Sequence, residues 1–174
     1  MEIISYDIDT EQKEAYLQIL SGDIMNRPEI LFAYAHGSFL EDRRFRDLDV
    51  AVFLRPEFIA GKSPFYETEL GSELQKDLKA LFPVDIRILN TARLSFQYNA
   101  IKGRLLADRD PEARIAFITK TVSLYLDIKP ILRHYTKEAL EVNLDHDRIR
   151  RKLEDIDGSL QDLEEFSAQI GSFL

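Results

Sequence analysis

The sequence contains no cysteine, and this absence removes several chemistries at once. Without thiols the chain has no disulfide framework, no thiol nucleophile and no cysteine-based zinc site. It also lacks a long apolar run, and its first residues carry no basic flank, so the sequence predicts neither a signal peptide nor a membrane span. We therefore expect a cytoplasmic protein.

Positive charge is also scarce. The chain has 23 Lys and Arg against 31 Asp and Glu, which gives a net charge of −8. This balance argues against an extensive nucleic-acid surface, because such surfaces bind through clustered Lys and Arg. A local basic pocket for one phosphate-bearing small molecule remains compatible with it. The hydrophobic share of 45% over 174 residues is enough for the core of one domain.

One stretch in the first third of the chain carries the strongest chemical signal. A Gly-Ser pair, Gly37 and Ser38, follows an apolar run, and after eight intervening residues Asp47-Leu-Asp49 opens a second apolar run. The second run is rich in β-branched and aromatic residues, which predicts a strand on which Asp47 and Asp49 share one face. Two neighbouring carboxylates at the start of an apolar strand are costly unless a cation lies between them.

A third carboxylate follows on a later strand. Residues 84–89 alternate apolar and polar side chains, which places Asp85 on the polar face of a predicted strand. Carboxylate oxygens are the hard ligands that Mg²⁺ prefers, and two ions could share such a set. Asp85 could also accept the proton of an attacking hydroxyl. His36, just before the Gly-Ser pair, is interpreted as a packed residue at a strand end, with a position lining the pocket as the alternative.

The Gly-Ser pair, the spacer and Asp-x-Asp resemble the signature of the DNA polymerase β-like nucleotidyltransferases. The chain looks most like their minimal members (MNT), the antitoxins paired with HEPN toxins, and the resemblance spans roughly residues 10–142. The spacer here is shorter than in the longer form of that signature and lacks its Arg-Gly pair. The resemblance implies an α/β fold with a small mixed sheet and packed helices, and the third Asp of the family matches Asp85.

The resemblance also implies an activity: transfer of AMP from Mg-ATP to a hydroxyl, a tyrosine of a HEPN toxin partner being favoured. Asp47, Asp49 and Asp85 would be catalytic and would hold two Mg²⁺ ions, while Gly37 and Ser38 would bind the phosphates of ATP. The spacer contributes three candidate phosphate-steering residues, Arg43, Arg44 and Arg46. Two alternatives stay open: a binding-only antitoxin that keeps the fold for docking, and nucleotidyl transfer to a small molecule.

Sequence patterns predict the remaining elements. Strands are expected at 30–35, 48–54, 84–89 and 104–107. Helices are expected at 11–20, 65–81 and 92–101, and one more should begin after Asp110 and run to about residue 126 or beyond. Pro130 predicts a kink or a break before a further segment that reaches about residue 140.

The last part of the chain differs in character. We divide the sequence into a nucleotidyltransferase domain, residues 1–142, and a C-terminal helical tail, residues 143–174. Residues 145–166 are predicted to form a helix with a narrow apolar seam, which consists of Ile149, Leu153, Ile156, Leu160 and Leu163. Such a seam favours docking, so the tail is a predicted interaction segment for a second copy or for a HEPN partner, with the chain's own helix after Asp110 as the alternative.

Deletion of residues 145–174 tests this division. Because residues 1–142 already supply a complete nucleotidyltransferase, the truncated chain should fold and bind ATP, but it should be more monomeric or bind its partner less well. Sedimentation velocity measures the assembly state. An unchanged assembly state with unchanged partner affinity would contradict the interface role, and an unfolded product would show that the tail belongs to the core.

Overall fold

The computed structural model describes residues 4–142, and for residues 132–142 it describes the backbone alone. Almost all of the described residues lie in the compact unit Met1–Asp127. A second unit begins at Ile128, and only its helical residues 128–142 are described. The predicted tail helix and its apolar seam lie outside the described residues, and the domain division at residue 142 stays a prediction.

A four-stranded mixed sheet forms the centre of the first unit. Its strand order is β5-β4-β2-β6: β2 (Ile30–His36) pairs antiparallel with both β4 (Leu48–Leu54) and β6 (Arg104–Asp108), while β5 (Val84–Ile88) runs parallel to β4. Nearly every residue of β2 is buried, as expected for a central strand covered on both faces. The predicted α/β fold with a small mixed sheet is confirmed.

Two short strands lie outside this sheet. β1 (Tyr6–Asp7) pairs antiparallel with β3 (Arg44–Phe45) and so ties the start of the described chain to the spacer before β4. The helices are α1 (Thr10–Met25), α2 (Ser38–Glu41), α3 (Pro56–Ile59), α4 (Tyr66–Leu78), α5 (Leu94–Ile101) and α6 (Pro111–Val142), with a 3₁₀ turn at Leu89–Thr91. None of the helices in the described part of the chain combines the length and apolar character needed to cross a bilayer.

Helices α1 and α4 cover one face of the sheet and build the main core. The apolar residues of α4, Leu70, Leu74 and Leu78, are buried against the inward side chains of β4 and β5. The opposite face carries an aromatic cluster in which the rings of Phe32 and Phe53 stack with centroids 4.6 Å apart. Burial on both faces fixes the strands, since each apolar side chain buried contributes about 1.5–3 kcal/mol.

Helix α1 differs from its predicted bounds at both ends. The helix begins at Thr10, one residue before its predicted start, and Asp9 is the N-cap: its carboxylate accepts from the Gln12 backbone N–H at 2.7 Å, and the Gln12 side chain accepts in return from the Asp9 N–H. The helix then runs through Ser21-Gly22, where an end was predicted, and stops at Met25. The reason is packing, because the extra turn buries Ile24 in the core, which outweighs the propensity cost of one glycine.

Other boundaries shift for similar local reasons. Helix α4 ends at Leu78 because Lys79 adopts a left-handed conformation (φ 50°), so Leu81 is exposed, where the predicted helix reached residue 81. The segment between β4 and α4, for which no element was predicted, contains the short helix α3, with Pro56 at its first position.

Pro130 neither breaks the last helix nor divides it into two segments. Helix α6 begins after Asp110, whose carboxylate accepts from the Ala113 N–H at 2.9 Å, and continues as one helix to Val142. Proline removes the hydrogen bond to the carbonyl of Leu126, four residues earlier. Both residues lie on an exposed part of the helix, so solvent can satisfy that carbonyl.

Two helical glycines provide a stability test. A Cβ on Gly22 in α1 would have nothing within 4 Å, whereas a Cβ on Gly71 in α4 would lie 2.5 Å from the Val84 carbonyl oxygen. Gly22→Ala should therefore raise the free energy of unfolding by about 0.5–1 kcal/mol, because alanine is the better helix former.

Gly71→Ala is the matched variant and should lower stability, since the helix must move away from β5. Urea unfolding followed by circular dichroism measures both. A loss of stability in Gly22→Ala would mean that α1 does not continue through residue 22 as described.

Candidate active site

Strand register places three candidate residues side by side. Asp49 on β4 is the direct neighbour of Asp85 on the parallel strand β5, and it faces His36 on the antiparallel strand β2. Neighbours in register project from the same side of a sheet. The structure therefore brings Asp49 and Asp85 together, with Asp49 partly buried and Asp85 exposed.

Asp47 completes the carboxylate group from the position just before β4. Burial, together with the negative charges of Asp47 and Asp85, raises the pKa of Asp49 to about 6, while Arg46 and Arg87 oppose the rise. Three carboxylates are thus close enough to interact electrostatically. The result is a local excess of negative charge that a cation would relieve.

The Gly-Ser pair lies against the same carboxylates. Gly37 has φ +77° and ψ −164°, a backbone conformation that residues with a side chain rarely adopt. A Cβ at this position would lie 2.5 Å from Oδ2 of Asp49. Glycine is therefore required both by the backbone and by the close approach of the Asp49 carboxylate. Ser38 follows as the first residue of α2 and is partly buried.

The spacer between Ser38 and Asp47 is held by a residue that sequence patterns did not reveal. Lys13 of α1 donates from Nζ to the carbonyl oxygens of Phe39 and Asp42, both at 2.6 Å. The same ammonium lies 5.2 Å from the ring centroids of Phe39 and Phe45, which are buried. Because the partners are 26 and 29 positions apart in the sequence, no local pattern signals this contact.

The three arginines of the spacer have different positions. Arg46 is exposed and close enough to lower the pKa of Asp49. Arg43 instead forms an ion pair with Asp7, from Nε to Oδ1 at 3.0 Å, and Arg44 lies on β3 opposite Asp7. The structure thus brings Arg46 to the carboxylates, while Arg43 interacts with the N-terminal strand; nucleotide binding by any of them stays a prediction.

His36 is a packed strand-end residue that also borders the carboxylates. Its ring meets Phe96 edge-on with centroids 5.2 Å apart, and its Nε2 is buried without a hydrogen-bond partner among the described residues. Burial lowers the pKa of His36, which the negative charge of Asp85 partly offsets. The ring is thus held mainly by packing, as the sequence interpretation favoured.

The family of the chain follows from a match over the same region. A family model described as polymerase beta, nucleotidyltransferase, matches residues 20–112, more than half of the chain and all of the residues of the site. This chain belongs to the polymerase beta nucleotidyltransferase family. The resemblance to this family, which rested on the Gly-Ser and Asp-x-Asp pattern, is confirmed. No curated protein is similar enough to this nucleotidyltransferase to count as a match.

Solved structures of toxin–antitoxin complexes share the fold of this nucleotidyltransferase. One is the MntA-HepT toxin–antitoxin, at 17% identity and TM-score 0.53, covering 75% of this chain and 98% of the other. Another is the tri-AMPylated Shewanella oneidensis HEPN toxin in complex with MNT antitoxin, at 19% identity and TM-score 0.55, covering 71% and 98%. A third is a toxin–antitoxin with AMP-PNP, at 20% identity and TM-score 0.54, covering 75% and 98%.

The candidate metal ligands of this nucleotidyltransferase, Asp47, Asp49 and Asp85, offer carboxylate oxygens, which are the ligands that Mg²⁺ prefers. Among the side chains that the structure describes, no group of three or more His, Asp or Glu is arranged to hold an ion by protein atoms alone. Magnesium does not need such a cage, because it is usually bound by one or two carboxylates together with substrate phosphates and water. Burial and the negative charges of Asp47 and Asp85 raise the pKa of Asp49, and a bound cation would favour its ionised form.

The raised pKa of Asp49 gives a pH-dependent stability without metal. Asp49 keeps its proton up to about pH 6 in the folded state, against a reference value of 3.8. The folded state therefore binds more protons than the unfolded state in this window, so the free energy of unfolding should fall as pH rises through it. Asp49→Asn should reduce that fall. Urea unfolding at several pH values between 4 and 7, with EDTA, measures it.

The control is Asp77→Asn, which removes an exposed carboxylate of α4 and should leave the wild-type pH slope unchanged. Adding Mg²⁺ should shrink the fall in the wild type, because a cation stabilises the ionised site. Equal slopes in Asp49→Asn and in the wild type would contradict the assignment of the raised pKa.

Proposed function

We propose that this chain is the antitoxin of a HEPN toxin and that it transfers AMP from ATP to a hydroxyl of that partner, most simply a tyrosine hydroxyl. The observation that carries the proposal is the meeting of Asp47, Asp49 and Asp85 beside Gly37. Membership of the nucleotidyltransferase family supports group transfer. Among structures of the same fold, one contains AMP-PNP and another a tri-AMPylated HEPN toxin.

Each residue of the site has a separate role in this proposal. Asp49, with Asp47 and Asp85, would hold Mg²⁺, two ions being the expected number, and the metal would supply neutralisation of the phosphate charge. Gly37 leaves room for the phosphates to approach the backbone, and Ser38 offers a hydroxyl donor. Arg46, the spacer arginine near the carboxylates, would contribute positive charge to the same phosphates.

The proposed reaction is a single displacement at the α-phosphorus. The acceptor hydroxyl loses its proton to Asp85, and its oxygen forms a new bond to the α-phosphorus. The bond from that phosphorus to the bridging oxygen breaks, and pyrophosphate leaves. Because little covalent chemistry falls to the protein, positioning and electrostatics provide most of the catalysis.

A binding-only antitoxin is the rival function. Intact carboxylates at all three positions favour the enzyme, since docking alone would not require like charges to be held together at a cost in stability. The two functions differ in one measurement: Mg²⁺-dependent release of pyrophosphate from ATP in the presence of the HEPN partner. Partner binding without pyrophosphate release would support the rival, and release with a small-molecule hydroxyl alone would support transfer to a small molecule.

Asp49→Asn tests the catalytic role. The variant should keep its fold, because it has the same shape, yet AMP transfer to the HEPN partner should fall by about 10²–10³-fold, as when one preorganised electrostatic contact of an active site is lost. Ser38→Ala should lose no more than about tenfold, because a single hydrogen bond contributes about 0.5–1.5 kcal/mol net. Radiolabelled AMP incorporation measures both.

Asp77→Asn again serves as the matched control, since it makes the same chemical change on an exposed surface of α4. Full transfer by Asp49→Asn would end the enzyme hypothesis, whatever the behaviour of Ser38→Ala. Circular dichroism of each variant confirms that a loss of transfer is not a loss of fold.

A further inference from the structure

A hollow of about 550 Å³ borders Asp85. The residues that line the hollow include Asp85, Glu67, Arg87, Arg93, Ser95 and Phe96. Neither Gly37 nor Asp49 takes part in its lining. The hollow therefore shares one carboxylate with the candidate active site and is otherwise built from residues that the proposed nucleotide contacts leave unused.

The strand order places this hollow on the side from which an acceptor must approach. Gly37 and Ser38 follow β2, Asp49 lies on the next strand, and Asp85 lies on the edge strand β5. In phosphoryl transfer the attacking and leaving oxygens lie roughly in line, on opposite sides of the phosphorus. If the phosphates that leave are bound at the Gly-Ser pair, the attacking hydroxyl comes from the side of Asp85, where the hollow is.

The charges of the hollow select the type of acceptor. Arg87 is paired with Asp85, from Nε to Oδ2 at 3.6 Å, and Glu67 accepts a hydrogen bond from the Ile88 N–H at 2.8 Å. Arg93 is exposed, and its guanidinium makes no hydrogen bond or ion pair with any residue in the described part of the chain. Glu67 keeps its negative charge, so the two arginines and the two carboxylates leave the hollow without net charge. Such a hollow suits a monoanion on Arg93 better than a phosphate dianion.

We propose that this hollow binds the acceptor segment of the partner protein, with the acceptor hydroxyl at Asp85, an aromatic ring against Phe96, and a neighbouring Asp or Glu carboxylate on Arg93. This inference rests on the proposed function and specifies its substrate: an aromatic hydroxyl next to an acidic residue. Arg93 is a specificity residue here, because it contacts the segment around the acceptor and not the reacting atoms.

A charge-swap experiment on Arg93 tests the proposal. The probes are two fluorescein-labelled peptides that differ only in the residues flanking one tyrosine, Glu in the first and Lys in the second. The full chain should bind the Glu peptide about threefold to fivefold more tightly, as expected for one exposed ion pair. Arg93→Glu should reverse the preference. Fluorescence anisotropy without ATP measures binding, and AMP incorporation with Mg-ATP measures transfer.

Lys120→Glu is the matched control, because it makes the same change of charge on an exposed residue of α6 that does not line the hollow. It should leave the preference as in the wild type. The affinity for ATP, measured by displacement of a fluorescent ATP analogue, should be the same in Arg93→Glu as in the wild type.

The outcomes separate the inference from the proposed function. Equal binding of both peptides, an unchanged preference in Arg93→Glu, or a loss of ATP affinity in that variant would overturn the hollow as an acceptor site, the last by showing that it holds the nucleotide. A reversed preference without AMP transfer to either the peptides or a HEPN protein would support the hollow and contradict the transferase. Transfer to a HEPN protein without any peptide binding would leave the transferase standing and overturn the inference.

Discussion

The parallel pairing of β4 with β5 is the contact on which the site depends. Its register sets Asp49 directly beside Asp85, and each carboxylate lies between buried apolar neighbours on its own strand. Those neighbours fix the strands in the core, so the two negative charges cannot move apart without a shift that would carry every inward side chain to the wrong face. Hydrophobic burial on one side of the sheet thus holds together charges that repel on the other.

The positive charges around the site offset this repulsion only in part. Arg46 and Arg87 both lower the pKa of Asp49, yet burial and the neighbouring carboxylates still raise it to about 6. A site left with excess negative charge is less stable by itself and more receptive to a cation. Natural active sites often depart from local rules of stability in this way, with the cost offset by packing elsewhere.

Much of the fold was accessible from the sequence because its signals are local. The alternation around Asp85 and the apolar run after Asp49 identify strands β5 and β4, and shared faces follow from a period of two. The pairing partner and register are not local, so the sequence alone did not place Asp85 beside Asp49; family resemblance supplied that step. The predicted end of α1 at residue 20 was wrong, because the burial of Ile24 outweighs the local Ser-Gly signal.

The positions of the spacer arginines could not be predicted from local sequence signals. Three arginines close together in the sequence look equivalent, but pairing of β1 with β3 draws Arg43 to Asp7 and leaves Arg46 near the carboxylates. The hollow was missed for a related reason, since its lining is drawn from α4, β5 and the start of α5. Such groupings exist only after the chain has folded.

The contact of Lys13 with the carbonyls of Phe39 and Asp42 has a consequence for how the molecule tolerates change. It makes the course of the spacer depend on helix α1 as well as on the spacer's own buried residues, Phe39 and Phe45. The exposed side chains of the spacer can therefore vary, as long as the two carbonyl oxygens still reach one ammonium. Substitutions on the buried side of α1, far along the chain from any carboxylate, would instead displace the turn that Ser38 begins.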